Sequence, residues 1–475
     1  MEEKFPYDSI HFTGIFGSGM SAIAQYLAAI GIRITGSDRL VHSPDSQRIK
    51  EHLLNCGCSI FLQDGSGIDH RTDAVCVSTA IEESNPDIAA ARIQGIPVLH
   101  RSDILAWLIK NTKSIAIAGT SGKSTVTAMV FELLTACQMS PSLIGGAPLR
   151  SLEEKGMIGN AFYGDSDLLI VEADESDGTL VKYHPYATMV LNLSKDHKPE
   201  AEVLAMFEQL TNQSRWSIIN ADDPKLNSLR AATTFGFSEK ATFKGIKKKK
   251  DPFSSTISVN KMEFKLPIPG EHNESNLLAA LCVCKYLGCD DEQLAYACKH
   301  YKGVDRRFTF HSTASGVTVI DDFAHNPEKI RAAVKTAKEL SSKLIILYQP
   351  HGFGPTRFLK HEYAETFREL LRSSDTLCLL PIYYAGGTAV KDISSHDIIE
   401  LIKSQILTPL GSLSTDVVHK HKESVKLPFN AIAVDKREDA LQVIQEYVQS
   451  DSCILLMGAR DPSLSSFIKQ IIESL

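Results

Sequence analysis

No apolar run in this 475-residue chain approaches the about 20 residues that cross a bilayer, and Met1 opens onto Glu2, Glu3 and Lys4 with no hydrophobic leader core behind them. A membrane-spanning or exported chain is therefore set aside, and a cytoplasmic protein is expected. Metal-finger and redox spacings are missing as well: the ten cysteines are scattered, and the close pairs, Cys56 with Cys58 and Cys282 with Cys284, have one residue between them where zinc and redox motifs have two. They read as reduced core thiols. Nor is there a surplus of positive charge. With 50 Lys and Arg against 57 Asp and Glu the net charge is −7, which argues against a nucleic-acid surface built on bulk charge. The one basic run, Lys247 to Lys250, reads as a solvated loop, and nothing in the chain points to a protein partner.

What the chain does have is core. Hydrophobic residues make up 43% and charged residues 23%, the balance of soluble globular proteins, and the length implies roughly two to four domains. The densest signal is Ser114 to Leu134, where an apolar run, Ile115 to Ala118, leads into Gly119, Thr120, Ser121, Gly122, Lys123, Ser124 and Thr125 and then a helix-like stretch. Glycines there let consecutive backbone N–H groups turn toward one centre, and the helix N-terminus adds its positive end, so polyphosphate oxygens find donors. Lys123 would neutralise the β- and γ-phosphates and Ser124 would put its hydroxyl on Mg2+, making ATP and Mg2+ the expected cofactors. Only Thr120 and Ser121 separate the glycines, a shorter loop than the common phosphate-binding form. Such a turn can be mere connection geometry; the lysine and hydroxyls that follow argue otherwise.

A second glycine turn stands near the start. Strand-like Ser9 to Thr13 runs into Gly14, Ile15, Phe16, Gly17, Ser18, Gly19 and Met20, a helix follows to Ala28, and a second strand ends at Ser37 and Asp38. Alone this is a dinucleotide-type fingerprint, or a turn that serves only close helix packing. Further strands, Ala74 to Ser78 and Pro97 to Leu99, predict a small doubly wound sheet. After the Lys123 loop, the buried-strand pattern Leu168 to Val171 ends in Glu172-Ala173-Asp174-Glu175-Ser176-Asp177, where carboxylates suit Mg2+ beside a nucleotide. A strand from Thr188 to Leu193 leads to His197, whose imidazole could ligate a metal or bind a substrate oxygen. Thr233 to Pro267 reads as a small antiparallel excursion. Asn273 and Asn276, ahead of an apolar helix from Leu277 to Leu287, are spaced to share one helical face and could meet an adenine edge, or one of them could simply cap the helix. The last segment opens with strand Thr318 to Ile320 and Asp321-Asp322-Phe323-Ala324-His325-Asn326-Pro327, continues through a helix to Leu340 and a strand to Tyr348, and enters a loop from Gln349 to Arg357.

In this order the stations resemble the Mur ligases, ATP-dependent enzymes that form amide bonds in peptidoglycan precursor synthesis, over essentially the whole chain from Gly14 to Asp461. The branch that joins L-alanine to UDP-N-acetylmuramate is nearest. Its pattern is matched by the turn Gly14 to Met20, by Gly36-Ser37-Asp38, by Ser78-Thr79-Ala80-Ile81 with Asn85-Pro86, by the acidic hexad, by Gly303 to Phe308 and by Gln349-Pro350-His351. The resemblance implies an α/β chain of three domains: a Rossmann-like UDP-binding domain over 1–111, a central P-loop ATPase domain with a mostly parallel sheet over 112–310, and a Rossmann-like C-terminal domain over 311–475. It implies that Gly17, Ser18, Gly19 and Met20 hold the diphosphate of a UDP-sugar, not NAD, with Ser37 and Asp38 near the uridine and Ser78 in the same site. Glu172 and His197 would be Mg2+ ligands with Ser124, Asn273 and Asn276 adenine contacts, Arg307 a phosphate contact and Asp322 a ribose contact. His325 would lie near the incoming amino acid, with His351 and Arg357 as substrate contacts. Lys123, Glu172, His197 and His325 then form the expected catalytic set of a cytoplasmic monomer or homodimer.

The implied reaction is attack of a lactyl carboxylate on the γ-phosphate, then of an amine on the acyl phosphate, with water excluded by domain closure. This chain departs from the branch at several positions. Ser121 stands for a usual His, Ser124 for Thr, and Lys198-Pro199-Glu200 follows the Asp196-His197 pair. Gly352 and Pro355 replace two arginines, leaving Arg357 and putting the accepted amino acid in question. A ligase that attaches a preformed peptide to the same sugar nucleotide, and a regulatory nucleotide binder without turnover, remain the alternatives.

Overall fold

The computed structural model describes residues 3–194, 198–249, 251–384, 390–404 and 427–475. The chain divides into two compact units, Met1–Asp305 and Arg306–Leu475.

The first unit begins with five parallel strands, β1 (Ser9–Thr13), β2 (Arg33–Ser37), β3 (Ser59–Phe61), β4 (Ala74–Val77) and β5 (Val98–His100), in the order β3-β2-β1-β4-β5. The chain moves outward from β1 to β3 on one side and returns to β4 on the other, so the turn after β1 lies at the point where strand order reverses, the usual ligand position in open α/β sheets. Gly14 to Gly17 form that turn, and the helix Ser18–Ala29 starts from it. β3 is a strand that sequence pattern did not single out: three residues with no fully buried member carry too little periodicity to register.

A second sheet follows, made of β6 (Lys113–Ala118), β7 (Ser142–Ile144), β8 (Ala161–Phe162), β9 (Leu168–Glu172), β10 (Ala187–Val190), β11 (Trp216–Asn220), β12 (Thr233–Gly236) and β13 (Phe243–Lys244), in the order β13-β12-β11-β10-β6-β9-β7-β8. Only the β7–β8 pairing is antiparallel. β6 is buried from Ser114 to Ala118, as a strand covered on both faces must be, and it sits between β9 and β10. That placement brings the acids after β9 and the polar turn after β10 to either side of the loop after β6. The antiparallel excursion expected for Thr233 to Pro267 starts later than the sequence suggests: β12 and β13 extend the parallel sheet, with Phe235 buried in its core, and only β14 (Ile246–Lys247), β15 (Ser255–Val259) and β16 (Met262–Leu266) form an antiparallel trio. Polar residues around Phe235 disguise β12, which is paired on both sides, as part of a surface excursion.

Apolar burial ties the two sheets together. One hydrophobic cluster runs from Phe12, Ile23 and Tyr26 through Ala118 and Val171 to Phe207, and Asn160 hydrogen-bonds across it to the Ser18 carbonyl at 2.7 Å and to Gln25 at 3.0 Å. A helix, Glu271–Tyr286, packs on the other face with Leu277 to Leu281 fully buried. It begins earlier than its apolar run and is capped by Gly270, so neither Asn273 nor Asn276 is the cap; both lie inside its first two turns.

The second unit is a six-stranded sheet of β17 (Thr309–Ser312), β18 (Thr318–Asp322), β19 (Lys343–Gln349), β20 (Thr376–Leu379), β21 (Asn430–Ala433) and β22 (Ser452–Gly458), ordered β17-β18-β22-β19-β20-β21 and antiparallel only at β17. Asn326 caps the helix Pro327–Lys338 by accepting from the Lys329 N–H at 2.9 Å. The expected loop from Gln349 to Arg357 is cut short by a helix, Phe353–Leu370, which places Pro355 and Arg357 on a helix rather than in a loop. Pro355 reads as a breaker in sequence, yet in the first helical turn its missing N–H has no partner to lose.

Candidate active site

The loop after β6 is built from both of its neighbouring strands. Gly122 takes a left-handed conformation (φ 85°) and caps the helix Lys123–Ala136. Asn192, just past β10, fastens the loop from behind: its Oδ1 accepts from Thr120 Oγ1 at 3.0 Å and from the Ser121 N–H at 2.9 Å, and its Nδ2 donates to the Ser121 carbonyl at 3.0 Å. Ser194 adds its N–H to Thr120 Oγ1 at 2.9 Å. These anchoring contacts from Asn192 and Ser194 are all made by neutral groups.

Charge comes from the front. Lys123 Nζ donates to the Gly119 carbonyl at 2.9 Å and to Glu175 Oε2 at 2.6 Å, and stands 3.5 Å from Asp174 Oδ1. Burial pushes its ammonium pKa down, but Glu175, Asp174 and Glu172 more than reverse this and hold it above the ordinary lysine value. Burial likewise pushes Glu175 up against the pull of Lys123, whereas on Asp174 the pull of Lys123 and the Ser176 hydrogen bonds prevail over burial and hold it below the carboxylate range. A folded loop thus presents a charged lysine at every physiological pH.

Glu172, the last residue of β9, accepts from Ser124 Oγ at 3.0 Å and from the Gly146 N–H at 2.9 Å. A hydroxyl and a carboxylate at hydrogen-bond distance beside a phosphate-type loop are the hard oxygen donors that Mg2+ takes, so the residues present fit that ion. Thr125 is buried in the helix behind. Asn276 reaches the loop from the helix Glu271–Tyr286: a Cβ on Gly122 would lie 2.7 Å from its Oδ1, and its Nδ2 donates to Asn273 Oδ1 at 3.3 Å. Asn273 in turn donates to the Pro269 carbonyl at 2.7 Å. Gly119 to Thr125, Glu172, Asn273 and Asn276 therefore converge. His197, the other expected metal ligand, lies outside the described residues.

The first glycine turn is also within this unit. The N–H groups of Gly14 and Ile15 donate to the Ser37 carbonyl at 2.8 and 3.0 Å, and Asp38 accepts from the Phe16 N–H at 3.0 Å and the Leu40 N–H at 2.9 Å. Ser37 and Met20 are buried, so their side chains support the turn from inside; Gly17 and Ser18 are exposed at the helix start, and Ser78 is half-buried at the end of β4. Arg101 lies across this helix start, its Nη1 2.6 Å from where a Gly19 Cβ would be and its Nη2 2.8 Å from Asp177 of the acidic hexad.

In the second unit, Asp322 accepts from the Phe308 and Ala324 N–H groups, both at 2.8 Å, and the Arg307 guanidinium lies 4.8 Å from the Phe323 ring centre. His325 Nδ1 donates to the Phe323 carbonyl at 2.9 Å, and its ring meets His351 edge-on at 5.2 Å. Tyr348 and Tyr363 both donate to the His325 carbonyl, at 3.1 and 2.8 Å. Arg357 is engaged by the Asp392 carboxylate and the Val390 carbonyl. Arg306 is buried, bonded to Asp321 at 3.2 Å and to the Gly458 carbonyl at 2.8 Å.

Several of these residues escape sequence reasoning. Glu175 sits within the noticed hexad, but nothing local separates it from Asp174. Asn192 leaves a faint signal, a polar residue directly after an apolar strand that flanks the loop strand.

Comparison with known proteins matches three family domains along the chain. Residues 9–113 match the Mur ligase family, catalytic domain; residues 117–284 the Mur ligase middle domain; and residues 306–460 the Mur ligase, glutamate ligase domain. The UDP-N-acetylmuramate--L-alanine ligase of Pelotomaculum thermopropionicum is 30% identical over 471 residues, 95% of either chain, and that of an Arthrobacter species is 35% identical over 404 residues, 81% of this chain and 84% of its own. Among solved structures, the UDP-N-acetylmuramate-alanine ligase of Thermotoga maritima superposes with a TM-score of 0.77 at 26% identity, covering 98% of this chain and all of its own. A murein peptide ligase from Psychrobacter arcticus shares the fold at 18% identity, with a TM-score of 0.66 over 98% of both chains. With its mostly parallel α/β sheets, its strand–glycine–helix loop and this likeness along its length, the chain belongs to the Mur ligase family of ATP-dependent ligases.

Proposed function

We propose that the chain joins the lactyl carboxylate of UDP-N-acetylmuramate to L-alanine, with ATP converted to ADP and phosphate, as a step of peptidoglycan precursor synthesis. The observation that carries this reading is the grouping of Lys123, Ser124 and Glu172 at the loop after β6, beside a second glycine turn with no cation of its own. Likeness to L-alanine ligases over 95% of the chain supports the choice of substrates. The sugar nucleotide falls to 1–111, ATP to 112–310, and the amino acid, with part of the nucleotide, to 311–475.

In this reading the loop Gly119 to Thr125 receives the β- and γ-phosphate oxygens, with the amides of Gly122 and Lys123 as donors, and the Lys123 ammonium leaves Glu175 for the γ-phosphate as the substrate carboxylate attacks phosphorus and ADP departs. Mg2+, held by Ser124 and Glu172 with His197 as a further ligand, would screen the repulsion between the two anions. Asn273 and Asn276 offer amides to the adenine, Arg307 meets a phosphate and Asp322 a ribose hydroxyl. On the sugar-nucleotide side, Gly17, Ser18 and Gly19 receive the diphosphate, with Met20 and Ser37 supporting them, Asp38 near the uridine and Ser78 at the strand end. The amine of the amino acid, which His325, His351 and Arg357 would contact, then attacks the acyl phosphate, and phosphate leaves. The enzyme works as a cytoplasmic monomer or homodimer.

Phosphate release from ATP, measured with UDP-N-acetylmuramate and a panel of single amino acids, is expected to be greatest with L-alanine. No amino-acid-dependent release across the panel ends the single-residue reading. Release that needs an L-alanine-containing peptide moves the chain to peptide attachment.

A further inference from the structure

Asp87 lies in none of the groups considered so far, yet it is a fully buried carboxylate at the C-terminal edge of the first sheet. Its Oδ2 accepts from Thr13 Oγ1 at 3.1 Å and from Ser37 Oγ, and faces His11 Nε2 at 3.3 Å; its Oδ1 accepts from the Gly65 N–H at 2.8 Å. Thr13 and Ser37 are the last residues of β1 and β2 and stand opposite each other in register, while Gly65 belongs to the turn beyond β3. One anion therefore gathers the ends of neighbouring strands. It sits in the first turn of the helix Pro86–Gln94, where the helix dipole favours a negative charge, and Asn85 fixes its backbone by accepting from the Asp87 N–H at 2.9 Å. Burial alone would push this carboxyl up; the contacts from His11, Ser37 and Gly65 more than reverse that, and it stays ionised below the usual range.

The connection to the ligand side is short. Ser37, whose hydroxyl binds Asp87, holds the Gly14 and Ile15 N–H groups with its carbonyl. Thr13, the other hydroxyl on Asp87, is the residue before Gly14. The entry to the first glycine turn is thus pinned twice, through Thr13 and through Ser37, to the same carboxylate. We infer that Asp87 is a positioning residue for the sugar-nucleotide site: it does not touch the ligand, but sets the turn Gly14 to Gly17 so that its amides and the following helix start face the diphosphate. This rests on the proposed function for its ligand and not for its mechanics.

Asp87→Asn keeps the shape and removes the charge, leaving an N–H where Thr13, Ser37 or His11 requires an acceptor. KM for UDP-N-acetylmuramate is expected to rise about tenfold or more, with kcat and KM for ATP within about twofold. Hydrogen exchange should quicken in peptides carrying Gly14 and Ile15, and stay unchanged in those carrying Gly119 to Lys123. Ser37→Ala, which deletes one donor and leaves the carboxylate, should show the same pattern more weakly, and it decides the matter if Asp87→Asn does not fold. Wild-type KM and exchange in a folded variant overturn the inference. So does an equal loss on the ATP and sugar-nucleotide sides, the signature of general destabilisation. If the unaltered chain takes no UDP-N-acetylmuramate the proposed function fails instead, and the exchange pattern alone decides whether Asp87 sets the turn.

Discussion

The two glycine turns of the first unit share one local form, a strand, a glycine-bearing turn and a helix, and differ in how they are anchored and in what they present. The turn at Gly14 is held by carboxylates, Asp38 directly and Asp87 through Ser37, and it contains no cation; Arg101 is brought to its helix start from a later helix. At Gly119 the anchor is the neutral amide of Asn192, and the cation, Lys123, belongs to the turn itself, with Ser124 and Glu172 beside it. A turn that only holds a diphosphate can tolerate fixed anions behind it if a guanidinium offsets them. One that must stabilise charge moving between oxygens does better with an uncharged anchor and a cation carried on its own backbone, which has only to swing from Glu175 to the reacting phosphate. The difference separates a binding turn from a reacting one.

The most direct way to break that distinction is to remove the cation. Lys123→Ala is expected to lower kcat by about a hundredfold to a thousandfold with little change in KM for the sugar nucleotide, and Glu172→Ala to lose a comparable amount together with the Mg2+ response. Rates near wild type for Lys123→Ala, followed by phosphate release, would make the second turn a binding turn like the first. Asn192→Ala comes next. It leaves the Ser121 N–H without its acceptor and the Thr120 hydroxyl with Ser194 Oγ alone, which costs about 1–3 kcal/mol, so KM for ATP should rise roughly tenfold to a hundredfold while KM for the sugar nucleotide holds. Gly122→Ala is expected to cost somewhat less. A side chain at φ 85° is strained by about 1–2 kcal/mol, and the new Cβ would stand 2.7 Å from Asn276 Oδ1, giving about a tenfold loss in kcat/KM for ATP.

How far the sequence foretold this site depends on how local each signal is. The Lys123 loop was legible because its strand, glycines, cation and hydroxyls fall within a dozen neighbouring residues, and Glu172 because an acid directly after an apolar strand is conspicuous. Asn192 was not, since its role exists only because β10 lies beside β6, a fact of sheet order that no local pattern carries. Asp87 was hidden differently: an acid in the first turn of a helix reads as ordinary dipole compensation, and only burial beside Thr13 and Ser37 reveals a second task. Asn273 and Asn276 were noticed but their helix start was misjudged, because Pro269 and Gly270 mark a boundary while the polar residues after them mask the first two turns. The L-alanine branch was recognisable from its motifs, although the segment around Gly352 to Arg357 folds as a helix where a loop was expected, since Pro355 signals a break everywhere except in a first turn.

The smallest expected effect tests the first turn in the way Gly122→Ala tests the second. Gly19 lies in ordinary helical backbone, so a side chain there carries no conformational strain, and the atom it would meet, Arg101 Nη1 at 2.6 Å, is the free-swinging end of a long side chain. Gly19→Ala should therefore displace the guanidinium from the helix start and loosen its bond to Asp177 without disturbing the turn itself, a loss of about 1 kcal/mol or less for a partly exposed pair. That predicts a rise of up to about fivefold in KM for UDP-N-acetylmuramate, read by titrating the sugar nucleotide at saturating ATP, with kcat unchanged. A much larger loss would mean that the first turn depends on a single cation as heavily as the second depends on Lys123, and the contrast between a binding turn and a reacting turn would then lie in geometry alone.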